Sequence, residues 1–341
     1  MLLNNRINRE ILKENLKHEQ FSRRTITFYK YVNIIDPLEL RNTLYQEWHH
    51  MNCFGRIYIA KEGINAQMSV PEHHLNKFLE SLSKHHELKD VLVKYAVEDN
   101  GKSFYKLTIK VRQKIVADGL DEGSYDLSKT GTHLTPLEFH QNLDDPDTLV
   151  VDMRNHYESE VGKFVKAWCP EANTFKEAVQ IVAAEFQHQK NKKLLLYCTG
   201  GIRCEKASAY LIHQGFENIF QLSGGIIEYA KRIKENDLPS KFIGKNFVFD
   251  ERLRESITGE IISHCHQCGQ SSDKHTNCAN NDCHMLFIQC DVCREKYDGC
   301  CSDDCKNIKS LPTGERKKFK ILRHGKYASS KIFNKIRSVN E

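Results

Sequence analysis

Short apolar runs alternate with segments of helical spacing between residues 132 and 240, and this alternation constrains the fold more than any other feature. The runs TLVVDM (148–153), LLLYC (194–198) and NIFQL (218–222) are mostly apolar. Strands that are apolar along their whole length are buried on both faces, as in a parallel sheet covered by helices on both sides. We therefore predict an α/β domain with a parallel sheet here.

The N-terminal segment has a different order of elements, β-α-β-β-α-β, which predicts a ferredoxin-like α+β domain. Its first helix is marked by Asp36, Pro37 and Glu39, which suit the N-cap, first and third helical positions. We find no nucleophile or metal cluster in this segment, so a scaffold or recognition role is favoured. The strand-like runs are 24–34, 54–60, 64–70 and 106–114.

Thirteen cysteines in a chain of 341 residues would suggest disulfides in an exported protein. The N-terminus carries charges throughout and has no apolar signal region, and no apolar run approaches the roughly 18 residues of a membrane span. We therefore expect a cytoplasmic protein with reduced thiols, no membrane contact, and cysteines used for metal binding or thiol chemistry. The oligomeric state is not indicated.

The stretch LLLYCTGGIRCEKASAYL (194–211) places Cys198 at the end of an apolar strand and directly before a helix. Gly200 and Gly201 allow the backbone to curl so that N–H groups converge on one point, toward which the helix directs its positive end. Such a site stabilises a thiolate, and Arg203 adds a positive charge. A buried structural cysteine is the alternative interpretation.

The spacing from Cys198 to Arg203 is C-x4-R, one residue shorter than the C-x5-R loop of cysteine phosphatases. A tighter ring suits a persulfide sulfur or another small group better than a phosphoryl group. We expect Asp152 and Arg154, at the end of the neighbouring strand, to orient the loop, with a weaker claim for Glu158. Cys204 is either a resolving thiol for an oxidised Cys198 or a residue that packs against the sheet.

Three motifs between about 130 and 240 resemble those of rhodanese domains: VVDMRN (150–155), CTGGIR (198–203) and QLSGGIIEY (221–229). Together with GRIYIAKEGINAQMS before this segment, and FVFDERL and a cysteine cluster after it, they resemble the tRNA uridine 34 5-hydroxylases over about residues 25–305. The simple rhodanese segment G-H-I-P-G-A is replaced here by GKFVKAWCPEA (162–172). This difference argues against transferring the sulfurtransferase substrate site.

The resemblance implies oxygen-dependent hydroxylation at C5 of the wobble uridine, with molecular oxygen as co-substrate and the anticodon region of tRNA as partner. The active cysteine of that family corresponds to Cys198 and its loop arginine to Arg203. A persulfide-based sulfurtransferase and a non-enzymatic zinc-dependent RNA-binding protein are the competing interpretations. The residues expected to support the active loop are Asp152, Arg154, Thr199, Gly200, Gly201 and Ile202.

Nine of the cysteines lie between Cys265 and Cys305, and eight of them form spaced pairs. Two pairs can complete one tetrahedral site, so we predict about two structural zinc ions, with iron–sulfur ligation as the competitor. The pairs can combine consecutively, or the first can join the third and the second the fourth. The predicted ligands are Cys265, Cys268, Cys278, Cys283, Cys290, Cys293, Cys301 and Cys305.

The net charge of +5 is concentrated at the C-terminus, where residues 306–341 contain eleven Lys or Arg and two Glu. This tail suits an anionic partner such as RNA, and a solvated end without function is the alternative. The predicted organisation is a polar N-terminal segment (1–23), a ferredoxin-like domain (24–118), a rhodanese domain (130–240), a linker and cysteine-rich zinc module (241–305) and the basic tail (306–341).

Overall fold

The computed structural model describes residues 7–121 and 123–316. Most of the predicted basic tail, from residue 317 onward, lies outside the described residues, as do residues 1–6. The first helix, α1 (Arg9–Lys17), begins after Asn8, whose side chain accepts a hydrogen bond from the Glu10 N–H. No helix in the described ranges has the length and apolar character needed to cross a membrane.

A five-stranded sheet with two helices forms the N-terminal domain. The strand order β4-β1-β3-β2 is that of a ferredoxin-like fold, and β5 adds a fifth strand parallel to β2. Asp36 accepts hydrogen bonds from the first N–H groups of α2, and Pro37 occupies its first position, as predicted. The elements are β1 (Arg23–Tyr31), α2 (Pro37–His50), β2 (Phe54–Ala60), β3 (Gly63–Pro71), α3 (Leu75–Lys84), β4 (Lys94–Tyr95) and β5 (Leu107–Val111).

The predicted closing strand at 106–114 is not the one that completes the ferredoxin-like order. That strand is β4, which pairs antiparallel with β1 through Ile26 and Thr27. Because β4 has only two residues, it shows no strand periodicity in the sequence. The stronger pattern at 106–114 marks β5, on the opposite edge of the sheet.

The central domain contains the predicted parallel sheet, in the order β6-β10-β9-β7. Residues of β9 alternate between two cores: Leu194 and Leu196 pack with α6 and α7, whereas Leu195 and Tyr197 pack with α4 and α8. The α/β prediction is therefore confirmed. The elements are β6 (Thr132–Leu134), α4 (Pro136–Asn142), β7 (Thr148–Asp152), α5 (His156–Ser159), β8 (Gly162–Phe164), α6 (Phe175–Glu185), β9 (Lys193–Tyr197), α7 (Ile202–His213), β10 (Asn218–Leu222) and α8 (Gly225–Glu235).

The C-terminal cysteine-rich part is joined to the central domain by strand pairing, because β11 lies between β8 and β12. A second contact comes from His266, whose Nε2 lies 2.8 Å from Oε1 of Glu160. This part includes β11 (Phe242–Phe247), β12 (Arg254–Ser256), β13 (His275–Asn277), β14 (Leu286–Ile288), α9 (Asp291–Lys296), α10 (Asp303–Ser310) and α11 (Thr313–Arg316).

Candidate active site and cysteine clusters

Cys198 follows β9 directly and lies in a loop that ends where α7 begins. The N–H of Gly201 donates a hydrogen bond to the Cys198 Sγ over 3.1 Å. Gly201 has a φ of 100°, and a Cβ there would lie 2.7 Å from the Tyr29 hydroxyl oxygen. Glycine at this position is therefore required both by the left-handed backbone and by the close approach of the N-terminal domain.

The surroundings of Cys198 favour its thiolate form, although the residue is only 1% exposed. Burial alone raises the thiol pKa. It is outweighed by a hydrogen bond from the Cys204 thiol, the Arg203 charge and the N–H groups of Arg203 and Cys204, so the pKa falls from 9.0 to about 5. The pKa of Cys204 is raised well above its usual value by burial and by its bond to Cys198. The pair therefore consists of a thiolate and a thiol at neutral pH.

Arg203 is held by Glu158 rather than pointing freely into the loop. Its Nη1 and Nη2 donate to the Glu158 carboxylate over 2.6 and 2.8 Å, and Nη2 also lies 3.3 Å from Oγ1 of Thr199. Glu158 is fully buried. Glu158 had only a weak claim from the sequence, and in the structure it is the direct partner of the loop arginine.

Asp152 and Arg154 form a second buried ion pair, with Nη2 of the arginine 2.7 Å from Oδ2 of the aspartate. The same Nη2 donates to the backbone oxygen of Gly162 over 2.6 Å. The Met153 N–H between them donates to the Tyr197 oxygen over 2.9 Å, one residue before Cys198. The pair thus stabilises the end of β7, which is hydrogen-bonded to the end of β9 from which the loop departs. Cys169 lies beside it, 4.0 Å from Asp152 Oδ2.

The N-terminal domain contributes three side chains to the loop that the sequence analysis did not identify. The Tyr29 hydroxyl donates to Glu205 over 3.0 Å, and the Tyr31 hydroxyl donates to the Ile202 oxygen over 3.2 Å. The ammonium of Lys94 lies 4.5 Å from the centre of the Tyr29 ring. The only sequence signal for Lys94 is a single cation within VLVKYAV, which is too weak to indicate an active-site residue.

A buried lysine on α7 links the central domain to the N-terminal domain through ion pairs. Lys206, on α7, is fully buried, and its Nζ lies 2.8 Å from Glu62 Oε1 and 2.6 Å from Asp118 Oδ2. Glu62 belongs to the turn between β2 and β3, and Asp118 to the connector that follows β5. Because the pairs join three segments, the position of the N-terminal domain over the loop is fixed by charge as well as by packing.

The eight predicted ligand cysteines gather into two groups of four. Within each group all Sγ atoms lie within 4.8 Å of one another. The first and third pairs combine, and so do the second and fourth, which decides between the two arrangements that the sequence left open. The groups are Cys265, Cys268, Cys290 and Cys293, and Cys278, Cys283, Cys301 and Cys305.

The spacing of these thiols fits a metal ion. Four ligands at a metal–sulfur distance of about 2.3 Å in a tetrahedron place their sulfurs about 3.8 Å apart. The Sγ atoms of Cys268 and Cys290 are 3.6 Å apart, and those of Cys283 and Cys301 are 3.8 Å apart. Each group of four cysteines could therefore hold a metal ion.

Three segments of the chain match known protein families. Residues 23–115 match the UPF0176 acylphosphatase like domain, residues 135–232 the rhodanese-like domain, and residues 243–306 the family described as rhodanase C-terminal. A protein of Photorhabdus laumondii named tRNA uridine(34) hydroxylase is 51% identical over 98% of this chain and 95% of its own. The chain belongs to the tRNA uridine(34) hydroxylase family.

Further members of the tRNA uridine(34) hydroxylase family show the same extent of similarity. A protein of that name from Leptospira interrogans is 49% identical over 98% of this chain and 90% of its own, and one from Escherichia fergusonii is 50% identical over 98% and 95%. The resemblance seen in the sequence motifs is therefore confirmed. Among solved structures, the rhodanese-like domain of an Anabaena protein covers 33% of this chain and 78% of its own, with 17% identity and a TM-score of 0.27.

Proposed function

We propose that this protein hydroxylates C5 of uridine 34 in tRNA to give 5-hydroxyuridine, with molecular oxygen as co-substrate and Cys198 as the reactive group. The relatives that match almost the whole chain are named for hydroxylation of this uridine. The observation that carries the proposal for this chain is the Cys198 loop, in which a buried thiol with a pKa of about 5 lies at the head of α7. This is an oxidoreductase reaction on RNA in the cytoplasm.

Two electrons have to be supplied for each hydroxylation. One atom of oxygen enters the C5–H bond of the base. The other atom takes up two protons and two electrons and leaves as water. The Cys198 thiolate and the Cys204 thiol would release two electrons and one proton on forming a disulfide, and solvent would supply the second proton. This supports Cys204 as the resolving thiol. A cellular thiol reductant then restores both residues.

The two four-cysteine groups are proposed to bind structural zinc. Four thiolates at tetrahedral spacing, with the sequence separations C-x2-C and C-x4-C, are typical of closed zinc sites. The ions would stabilise a segment that has short strands and few apolar residues of its own. With the basic tail, this segment is proposed to contact the tRNA backbone. The proposed domains are the ferredoxin-like domain (24–118), the rhodanese domain (130–240) and the linker with the zinc module (241–305).

The decisive experiment compares tRNA nucleosides from cells that lack the gene and carry either wild type, Cys198→Ser or Cys53→Ser. Cys53 is as buried as Cys198 but lies in the N-terminal core, where its Sγ faces the Met51 oxygen at 3.9 Å. A serine there can donate to the same oxygen, so Cys53→Ser is a matched control. We expect wild type and Cys53→Ser to restore 5-hydroxyuridine derivatives, and Cys198→Ser to restore none.

The competing functions give different results in the same experiment. If 5-hydroxyuridine derivatives are present without the gene and a thio-nucleoside is missing instead, Cys198 acts in persulfide sulfur transfer. If no tRNA nucleoside changes, the protein is a zinc-dependent RNA-binding scaffold. Omitting oxygen from an assay with purified protein separates oxygen-dependent hydroxylation from both.

A further inference from the structure

Lys94 is a buried cation beside the active loop with no hydrogen-bond partner among the described residues. It is 2% exposed. Its side chain lies close to Gly200 of the active loop and to Gly224, directly before α8: a Cβ on Gly200 would lie 3.8 Å from its Cε, and a Cβ on Gly224 would lie 3.7 Å from its Cδ. The ammonium ends over the Tyr29 ring. An ammonium on so buried a side chain, with no acceptor among the described residues, is suited to a ligand that supplies the acceptor.

Arg203 and Lys206, two other cations next to the loop, are held in ion pairs. Arg203 donates to Glu158 and Thr199, and Lys206 donates to Glu62 and Asp118. Within residues 7–121 and 123–316, no ion pair of Lys94 is found, so Lys94 is a cation at this loop that can offer its donors to a substrate. Burial lowers its pKa to about 8, and the negative charges of Cys198, Glu228 and Glu205 partly oppose this. The amine therefore remains mostly protonated at neutral pH.

We infer that Lys94 contacts the substrate: its ammonium donates a hydrogen bond to the C4 carbonyl oxygen of the uracil whose C5 faces Cys198. This inference rests on the proposed function. C4 is bonded to C5, so a base that presents C5 to the thiol places this oxygen close to it. Uracil offers an acceptor at position 4, whereas cytosine offers an amino donor there. Lys94 therefore selects uridine over cytidine and stabilises negative charge on that oxygen during oxidation at C5.

Cys198 is 1% exposed, so a base reaches it only when the side chains that cover it move apart. Lys94 can move at low cost because it has no hydrogen bond to break among the described residues. The Tyr29 hydroxyl is hydrogen-bonded to Glu205 and the Tyr31 hydroxyl to the Ile202 backbone oxygen, so these two residues hold the N-terminal domain in place against the loop. The ammonium would then exchange its contact with the Tyr29 ring for one with the base.

The test uses purified full-length protein and anticodon stem-loop RNAs with uridine or 4-thiouridine at position 34, because sulfur is a much weaker hydrogen-bond acceptor than oxygen. We expect wild type to act at least tenfold more slowly on the thio-substituted RNA. Lys94→Met should lower the hydroxylation rate on the uridine RNA at least a hundredfold. Its rates on the two RNAs should be equal. Lys94→Gln, which keeps a neutral donor, should retain more activity than Lys94→Met. Lys89→Met, which changes an exposed lysine of the same domain, should match wild type.

A structural role for Lys94 predicts a different pattern. If the lysine served only stability, Lys94→Met would lower the melting temperature; we expect it unchanged or higher, since a buried unpaired charge is removed. The inference is overturned if Lys94→Met acts at the wild-type rate, or if 4-thiouridine slows wild type and Lys94→Met by the same factor. Either result leaves the proposed function standing. A wild-type protein that forms no 5-hydroxyuridine on the uridine RNA overturns the proposed function and this inference with it.

Discussion

Arg203 and Glu158 form a two-point ion pair, with 2.6 Å between Nη1 and Oε1 and 2.8 Å between Nη2 and Oε2. Glu158 is fully buried and Arg203 is 7% exposed. The loop arginine therefore acts on Cys198 through its charge and its backbone N–H, while its guanidinium hydrogen bonds go to α5 and to Thr199. The pair therefore ties the start of α7, directly after the loop, to α5.

Replacing Glu158 with glutamine should destabilise the protein, because the buried guanidinium of Arg203 would lose its counter-charge. The expected loss is about 3 kcal/mol of unfolding free energy, the order found when one partner of a buried ion pair is removed. Urea unfolding of Glu158→Gln measures it. Glu14→Gln, which breaks an exposed pair with Lys17, is the matched control and should leave the unfolding midpoint unchanged. Equal midpoints for all three proteins would contradict this account.

Alkylation of Cys198 should depend on pH in a way that distinguishes it from other buried cysteines. The pKa of Cys198 is about 5, so the reactive thiolate is already the main form at pH 6. The modification rate should therefore stay level above pH 6 and fall about tenfold for each pH unit below 5. Burial raises the pKa of Cys53 to about 12, partly opposed by the charge of Arg23, so its modification rate should rise across the whole range. Peptide mass spectrometry after iodoacetamide treatment measures both. Parallel profiles would contradict a depressed Cys198 pKa.

The loop itself could be predicted from sequence because its determinants are local. A run of apolar residues ends at Cys198, Gly201 takes a positive φ, and α7 starts at the next residue. The same holds for α2, whose cap and first-turn residues are consecutive in the chain. Where neighbouring residues decide the conformation, the pattern identified the element and its ends within one or two positions.

Contacts between domains could not be predicted in this way. Lys94 reaches the loop because the two-residue strand β4 pairs with β1, far away in the chain, and no periodicity marks so short a strand. The grouping of the cysteine pairs has the same cause. It depends on how β13 and β14 bring distant turns together, and spacing alone permits two groupings.

Asp118 should contribute stability that depends on pH, because it is fully buried between Lys206 and Lys114. Burial raises its pKa, but hydrogen bonds from these lysines and from the Leu120 N–H outweigh this and hold the pKa below 3.8. The contribution is therefore present above pH 3.8 and is lost as the pH falls through the lower folded value. Asp118→Asn should cost about 3 kcal/mol at pH 7 and clearly less near pH 3, measured by urea unfolding. Asp147→Asn, at an exposed site, should show no such difference.

Metal analysis of cysteine variants should reveal two separate sites with interleaved ligands. Wild type is expected to carry about two zinc ions per chain, one for each four-thiolate group. Cys268→Ser and Cys290→Ser should each remove one zinc ion per chain. Because both residues belong to the same group, the double variant should still retain the ion of the other group. Consecutive pairing would instead empty both sites in the double variant. Cys300→Ser is the matched control, since Cys300 is buried in the same segment but lies outside both groups. Elemental analysis by mass spectrometry measures the content, and iron in place of zinc would contradict the proposed structural zinc.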